Sequence, residues 1–444
     1  MRIFVVLCIF LVSAMPPGAD DAKRAAQLAD LAIVRDEYLP KELAYTAATR
    51  ALAQAKLGEL NARAGSLSSA ELLVGLAQIG ALTDNAHSGL RYHDPLALPG
   101  ARLPLRLLWF PDALIVARAT GDAADLAGAR VLAIEGLAPE ALFTRVKSLQ
   151  GGSEINRRKY LPELIESLGV LHAIGVAKRS DRVTLKLKLA SGTIVDRALN
   201  MVANGSVSPT ADTERLWSPE PVVDEAKWTT AISTDALPMY LTDAAEPFRT
   251  VPMPDVDALY IQFRSNGDED GHPIADFTAR VDAEIAARKP ANLILDLRFD
   301  VGGNLLTTLG FMRALPSKIA GQTYLLVGNY TYSAGIISAA AVKKGGGDRV
   351  TVVGEALGDR LSFWSEGDRV SLPNSHFGMR YTNGTFNLDN GCAAIPQCLD
   401  KLVDVNFVSL IPQIAAPLTS VAYLAKRDPA LAAVHTDIVR RRNE

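Results

Sequence analysis

Ser333 lies in a segment whose residue types would suit a nucleophilic serine. Residues 329–335 read Asn-Tyr-Thr-Tyr-Ser-Ala-Gly and follow a short apolar run at 324–327, while the small and apolar residues 336–342 predict a helix. The first turn of such a helix leaves backbone N–H groups unpaired. These groups would stabilise the oxyanion that forms when the Ser333 hydroxyl attacks a carbonyl. A serine at a helix start is also a common N-cap, and its position alone favours that simpler interpretation.

A second junction of the same kind precedes it in the chain. Residues 296–304 read Asp-Leu-Arg-Phe-Asp-Val-Gly-Gly-Asn and close another apolar run. Paired glycines let the backbone approach a ligand closely, so Gly302 or Gly303 could supply a second oxyanion N–H beside that of Ala334. A tight turn is the alternative. If the two strands are parallel neighbours, both loops lie at one edge of the sheet, where α/β sites form.

A serine nucleophile also needs a base. His87 follows a predicted helix, in residues 82–89 that read Leu-Thr-Asp-Asn-Ala-His-Ser-Gly. It could accept the Ser333 proton if the fold brings the two loops together. Sequence spacing does not show this, and a lone loop histidine is normally exposed to solvent.

Short apolar runs are the elements that would hold these loops in place. They alternate with predicted helices such as 274–287, which favours an α/β layer with buried strands; the runs are 258–263, 293–297, 324–327 and 350–353. Residues 22–83 have the spacing of helices, and strands are predicted at 131–134 and 183–189. Seven prolines in 204–255 predict an extended connection.

Length and composition limit the function classes. The chain has 444 residues, 48% hydrophobic and 21% charged, with a formal net charge of -3. This length predicts two or three structural units. The charge balance gives no reason to expect a nucleic acid or an anionic membrane surface as partner.

The N-terminus has the pattern of a secretory signal peptide, with Arg2, the apolar run 3–12 and small residues up to Ala14 or Ala19. The run is roughly 10 residues, whereas a membrane span needs about 20. We therefore expect an exported protein, periplasmic or extracellular, without a stable membrane span. After cleavage Cys392 and Cys398 remain, and an oxidising compartment favours a disulfide over two free thiols. A metal site is not expected, because no second cysteine or histidine pair has ligand spacing.

Together these segments resemble the tail-specific, or carboxy-terminal-processing, serine protease family, and in particular its tricorn-type and retinoid-binding-protein-like branch. The resemblance spans about residues 25–435. It depends on several motifs in order: the histidine loop 83–87, Asp-Leu-Arg with Gly302 and Gly303, Tyr332-Ser333-Ala334, and the segments 352–355, 372–375 and 427–431.

The resemblance implies peptide-bond hydrolysis of a peptide or protein substrate, without a metal or organic cofactor. It also implies an α/β fold with a crotonase-like (ClpP-like) core. The expected organisation is a signal peptide (1–19), an N-terminal helical region (20–100), a PDZ-like module (101–203), the extended connection (204–255) and the core (256–444).

Members of the family differ in the residue that acts as the catalytic base. One branch uses a lysine, and Asp359 stands near its expected position, whereas the histidine branch fits His87. In that branch a glutamate orients the histidine; here its position holds Asn406, with Asp404 nearby. An asparagine carries no charge to stabilise an imidazolium. A non-catalytic protein that binds a peptide or an apolar ligand on the same scaffold therefore stays open, as does an esterase or other acyl hydrolase.

Overall fold

The N-terminal part of the chain is helical, as the apolar spacing predicts. The computed structural model describes residues 18–90, 101–203, 215–220, 228–269, 271–406 and 408–444. The predicted signal peptide thus lies almost wholly outside the described residues. Ser68 caps the helix Ser69–Ala81 through a capping box with Glu71. In this box the side chain of each residue accepts the backbone N–H of the other. The elements are α1 (Ala19–Ile33), α2 (Leu39–Lys41), α3 (Ala47–Ala62), α4 (Ser69–Ala81) and β1 (Gly89–Leu90).

An antiparallel sheet follows, in the order β3-β4-β5-β6-β7, with β9 paired to β4. Its apolar face and the N-terminal helices share one buried cluster, which includes Leu76, Leu105 and Leu161. The strands of this part of the chain are β2 (Ala101–Arg102), β3 (Leu105–Trp109), β4 (Leu114–Thr120), β5 (Arg130–Ile134), β6 (Arg182–Lys188), β7 (Ile194–Asn200), β8 (Val202–Ala203) and β9 (Trp228–Thr230). Of these, β2 and β8 form a separate two-stranded sheet. The helices are α5 (Pro139–Val146), α6 (Glu154–Ile165) and α7 (Leu168–Ala173).

The C-terminal part contains a six-stranded sheet in the order β10-β11-β12-β13-β14-β19. Within this sheet β11, β12, β13, β14 and β19 run parallel, and β10 pairs with β11 in the antiparallel sense. The strands are β10 (Phe248–Met253), β11 (Ala258–Phe263), β12 (Asn292–Asp296), β13 (Thr323–Val327), β14 (Val350–Gly354), β15 (Ser362–Ser365), β16 (Arg369–Leu372), β17 (Phe377–Arg380), β18 (Gly384–Asn387) and β19 (Ile414–Ala415). The helices are α8 (Ile274–Arg288), α9 (Leu305–Ala314), α10 (Ala334–Gly346), α11 (Asp400–Val403), α12 (Ser420–Leu424) and α13 (Pro429–Arg442). The four predicted core strands are therefore confirmed.

Both faces of this sheet are covered, which explains the continuous apolar runs. Successive side chains of a strand point to opposite faces. In β12, Leu293 and Leu295 pack with α8, α9 and α10, whereas Ile294 packs with α13. Helices α8 to α10 therefore lie on one face of the sheet and α13 on the other.

The segment predicted as an extended connection, 204–255, takes part in both sheets. Residues 204–214 and 221–227 lie outside the described residues, but β9 joins the antiparallel sheet and β10 joins the parallel one. Because β10 belongs to the six-stranded sheet, that sheet begins before residue 256. Pro252 is tolerated because β10 is an edge strand, where a missing N–H breaks no inner ladder.

A buried ion pair joins the β12 loop to the last helix. The guanidinium of Arg298 donates to Asp296 at 2.6 Å and to Asp428 at 2.8 and 2.9 Å. Asp428 in turn caps α13 by accepting the N–H of Leu431 at 3.0 Å. Two of the motifs that carry the family resemblance are therefore in direct contact.

Across the part of the chain that the structure covers, no helix combines the length and apolar character needed to cross a bilayer.

Candidate active site

Ser333 occupies the turn between β13 and α10, as the sequence predicts. Its backbone has φ 54° and ψ −123°, which is unusual for a residue other than glycine and costs about 1–3 kcal/mol. The Ser333 side chain makes no capping hydrogen bond to α10. The simple N-cap interpretation is therefore wrong for this serine. A strained strand-to-helix turn of this kind presents a nucleophilic hydroxyl in other hydrolases.

The two junction loops lie at the same end of the parallel sheet and are tied together. The N–H of Tyr332 donates to the carbonyl of Asp300 at 3.0 Å, and the Thr331 hydroxyl donates to the carbonyl of Leu297 at 2.7 Å. These bonds fix the loop that carries Ser333 against the loop after β12.

Gly302 makes the closest approach between these loops. A Cβ atom at this position would lie 2.7 Å from the Cβ of Ser333 and 2.9 Å from the backbone N of Ala334. Its φ of +99° is also one that side chains rarely adopt. Glycine is therefore required here both by space and by backbone conformation.

Gly302 and Gly303, the two candidates for the second oxyanion donor, differ in whether their N–H group is already hydrogen-bonded. The N–H of Gly302 donates to Oδ1 of Asp300 at 3.0 Å, so it is already engaged. Within the described ranges, the N–H groups of Gly303 and Ala334 donate to no other group. Gly303 and Ala334 therefore have backbone N–H groups available for an oxyanion, and the choice between Gly302 and Gly303 as the second donor stays a prediction.

Asp300 is a buried acid beneath this turn. Asn266 Nδ2 donates to both of its carboxylate oxygens, at 2.6 and 2.7 Å, and Asn266 Oδ1 accepts from Thr308 and Ser338. Burial raises the pKa of Asp300 to about 7, although the bonds from Gly302 and Asn266 act in the opposite direction. The sequence placed Asp300 in the motif but gave it no role.

His87 is buried, not solvent-exposed. Its ring stacks on Tyr332 with centroids 4.5 Å apart and on Phe363 with centroids 5.4 Å apart. Tyr332 directly precedes Ser333, so the structure brings the loop that carries the predicted base against the turn that carries the predicted nucleophile. The two aromatic rings were not identified from the sequence, because nothing local indicates a contact between such distant segments.

The histidine loop is held by the loop at Gly151 and Gly152 and by strand β15. Cβ atoms at Gly151 and Gly152 would lie 2.5 Å from the carbonyl oxygen of Asn85 and 2.6 Å from the Cβ of Ala86, so the backbones are in direct contact. Asn85 Oδ1 also accepts the N–H of Trp364 at 3.2 Å. The loop therefore has little freedom to move away.

Asp359, near the expected lysine position, is buried and accepts the N–H of Ser153 at 3.2 Å. Burial raises its pKa to about 6. The preceding Gly358 donates its N–H to the carbonyl of Thr331 at 3.0 Å, so this acid belongs to the same region as Ser333.

The two residues considered as partners of the histidine lie elsewhere. The amide of Asn406 donates to Asp400 at 2.9 Å, and Asp404 is exposed at the end of α11. In the described structure neither side chain bonds to His87. Asn406, which stands where the resemblance expects the orienting glutamate, therefore makes no hydrogen bond to His87 in the described structure.

Cys392 and Cys398 form a disulfide six residues apart. Their sulfurs and a carboxylate oxygen of Asp400 lie within 4.8 Å of one another, but the sulfurs are bonded to each other. Asp400 instead accepts the N–H groups of Asn387 and Cys392, at 2.9 and 2.8 Å.

Comparison with solved structures identifies the architecture. Mature CPAF in complex with lactacystin superposes with a TM-score of 0.57 at 11% identity, covering 94% of this chain and 98% of that one. Mature CPAF alone gives 0.54 at 13% identity, covering 94% and 97%. The chain has the fold of the tail-specific proteases. At this identity the likeness concerns the tail-specific protease fold alone. No protein-family model and no curated protein matches the sequence.

Proposed function

We propose that the protein is a serine peptidase in which Ser333 is the nucleophile and His87 the base. The observation that carries the proposal is the stacking of His87 on Tyr332, the residue before Ser333. The fold shared with mature CPAF supports peptide-bond hydrolysis as the reaction.

The geometry suits each step of an acyl transfer. His87 takes the Ser333 proton as the hydroxyl oxygen attacks the peptide carbonyl. The N–H groups of Ala334 and Gly303, with the positive end of α10, stabilise the oxyanion. His87 then gives its proton to the leaving amine, and an acyl-enzyme forms. Water, deprotonated by His87, attacks the acyl carbonyl. His87 then returns that proton to the Ser333 oxygen as the ester bond breaks and the second product, a carboxylic acid, leaves.

The oxyanion turn is held in position before substrate binds. Asp300 fixes the Gly302 N–H, and its own carboxylate is fixed by Asn266. Donors that are already oriented need no reorganisation as charge develops, which is where electrostatic catalysis has its largest effect.

We also assign finer parts of the fold by the family resemblance. The parallel sheet with α8 to α10 on one face would be the crotonase-like core, and the antiparallel sheet of 101–203 the PDZ-like module. Such a module could present a strand edge to an extended peptide.

Export remains part of the proposal. The Cys392–Cys398 disulfide supports it, because disulfides persist in oxidising compartments. A periplasmic or extracellular location would be tested by fractionating cells that produce the full chain.

A non-catalytic binding protein on the same scaffold is the second candidate. It is favoured by one observation: Asn406 bonds to Asp400 and Asp404 is exposed, so neither sequence-derived partner orients His87. Binding of a peptide without its cleavage would support this candidate.

Cleavage of an unstructured protein substrate tests the proposal. The wild type is expected to produce new peptides, Ser333→Ala none, and the exposed control Ser317→Ala as many as the wild type. Ester hydrolysis without peptide cleavage would indicate an acyl hydrolase instead. Equal cleavage by Ser333→Ala would contradict the proposal.

A further inference from the structure

Lys159 is a buried cation that the proposed reaction does not use. It lies on α6 with 6% of its surface exposed, and its Nζ makes no hydrogen bond within the described structure. The Nζ instead lies 4.1 Å from the ring centroid of Tyr330 and 4.9 Å from that of Tyr160.

Cation–π contacts do not replace the hydration that this ammonium loses. Such contacts recover only part of the free energy that burying an ion costs. Buried charges in proteins are therefore normally paired with an opposite charge. No salt bridge to Lys159 occurs in the described ranges of the chain.

A small cavity adjoins this side chain, and Tyr330 lies in its wall together with Lys159. Its volume is about 20 Å³. A cavity of about 10–15 Å³ already holds one water molecule, so this one has room for a single water or for one monatomic ion of similar size. The charged residues of the wall are Arg102, Arg106, Lys159, Glu163 and Glu166.

The charges around the cavity favour an anion. Glu166 accepts from Arg102 at 2.6 Å and from Arg106 at 3.3 Å, so one carboxylate is shared by two guanidinium groups. Glu163 is the other acid, and burial raises its pKa to about 7. The wall therefore carries three basic side chains against two acidic ones.

From the unpaired ammonium, the size of the cavity and this excess of positive charge, we propose that the cavity between α6 and Tyr330 binds a small monovalent anion of the size of chloride, with Lys159 as its principal ligand. Lys159 Nζ also lies 5.4 Å from the ring centroid of Tyr332, so the cavity adjoins the turn that carries Ser333. Anion binding is measured separately from hydrolysis, so its test does not depend on the proposed peptidase activity.

Thermal unfolding tests the proposal in solution. The unfolding midpoint of the wild type is expected to be higher in sodium chloride than in sodium gluconate at the same ionic strength, because a ligand of the folded state stabilises it. Lys159→Met should show no difference between the two salts. Lys178→Met, which removes an exposed lysine, should respond as the wild type does. An equal chloride effect in Lys159→Met, or none in the wild type, would overturn the proposal.

Bromide provides a direct measurement on the wild type that remains valid if Lys159→Met fails to fold. Crystals soaked in sodium bromide are expected to show an anomalous peak within about 3.5 Å of Lys159 Nζ. Bromide peaks only at surface positions, or a water at that site, would overturn the proposal.

Discussion

The imidazole of His87 lies nearly parallel to the ring of Tyr332, with 4.5 Å between centroids and 18° between planes. This contact joins a loop near the N-terminus to the turn that carries Ser333. His87 is buried, and the Ser333 hydroxyl on that turn does not cap its own helix.

Removing the imidazole is expected to stop the chemical step but not folding. General-base catalysis contributes about 10²- to 10⁴-fold, so His87→Gln should lower kcat by that factor. Steady-state hydrolysis of a peptide substrate measures the effect, with circular dichroism to check the fold. The half-exposed His435→Gln is the matched control and should keep full activity. An unchanged kcat in His87→Gln would show that the base lies elsewhere.

A methyl group at Gly302 is expected to disrupt the site. The added Cβ would lie 2.7 Å from the Cβ of Ser333, so the loops must move apart. A misplacement of about 1 Å at a reacting group can cost roughly 100-fold in rate. Gly302→Ala should therefore lose at least that much activity and about 1–3 kcal/mol of unfolding free energy.

Gly310→Ala is the control for that substitution. Gly310 lies within α9, and a Cβ there meets open space. Alanine should stabilise the helix by about 0.5–1 kcal/mol and leave activity unchanged. If Gly302→Ala behaved in the same way, the close approach of the two loops would not matter for function.

Asp300 should make stability depend on pH. Its pKa of about 7 lies above the ordinary value of 3.8, so the folded state binds this proton more tightly than the unfolded state does. Its contribution to stability is then complete below about pH 4 and is lost as the pH rises through about 7. A difference of about three pH units corresponds to roughly 4 kcal/mol at most.

Asp300→Asn is expected to remove that dependence. The unfolding free energy of the variant minus that of the wild type should rise between pH 4 and pH 8, as measured by urea denaturation. Glu355 and Asp359 also have raised pKa values, but both remain in the variant and cancel in the difference. A difference that stays constant with pH, as expected for the exposed control Asp122→Asn, would show that Asp300 does not titrate in this range.

The disulfide should contribute modestly to stability. The bonded cysteines are six residues apart, and closing so short a loop stabilises by about 2 kcal/mol in the chain-entropy account. The double variant Cys392→Ala/Cys398→Ala should lose about this amount in denaturant unfolding. Reductant should destabilise the wild type to the same extent and leave the variant unaffected. A wild type that is indifferent to reductant would contradict this expectation.

The parallel strands were predictable because each is a short apolar run bounded by turn residues. The predicted strand 258–263 coincides with β11, and 324–327 differs from β13 by one residue. Strand β10 was missed because Pro252 and Pro254 suggested a connection, and an edge strand tolerates a proline that an inner strand would not. The edge position of β10 is set by the tertiary structure and cannot be read from the sequence of the strand alone.

The candidate site was predictable only in part, for a similar reason. Local patterns identified Ser333 and the paired glycines because a strand-to-helix junction is a local feature. The burial of His87 between other loops, and the bond from Gly302 to Asp300, depend on which segments meet in the fold. Position in the chain also suggested Asn406 as a partner of His87, but its amide bonds to Asp400.

The most direct test of the central claim is the intact mass of the protein after treatment with a fluorophosphonate, followed by mapping of the modified peptide. An activated serine next to its base is expected to gain one phosphonyl group, on Ser333, and the rate should fall sharply in His87→Gln. Unmodified wild-type protein, or modification that persists in Ser333→Ala, would contradict the assignment of Ser333 and His87 as nucleophile and base.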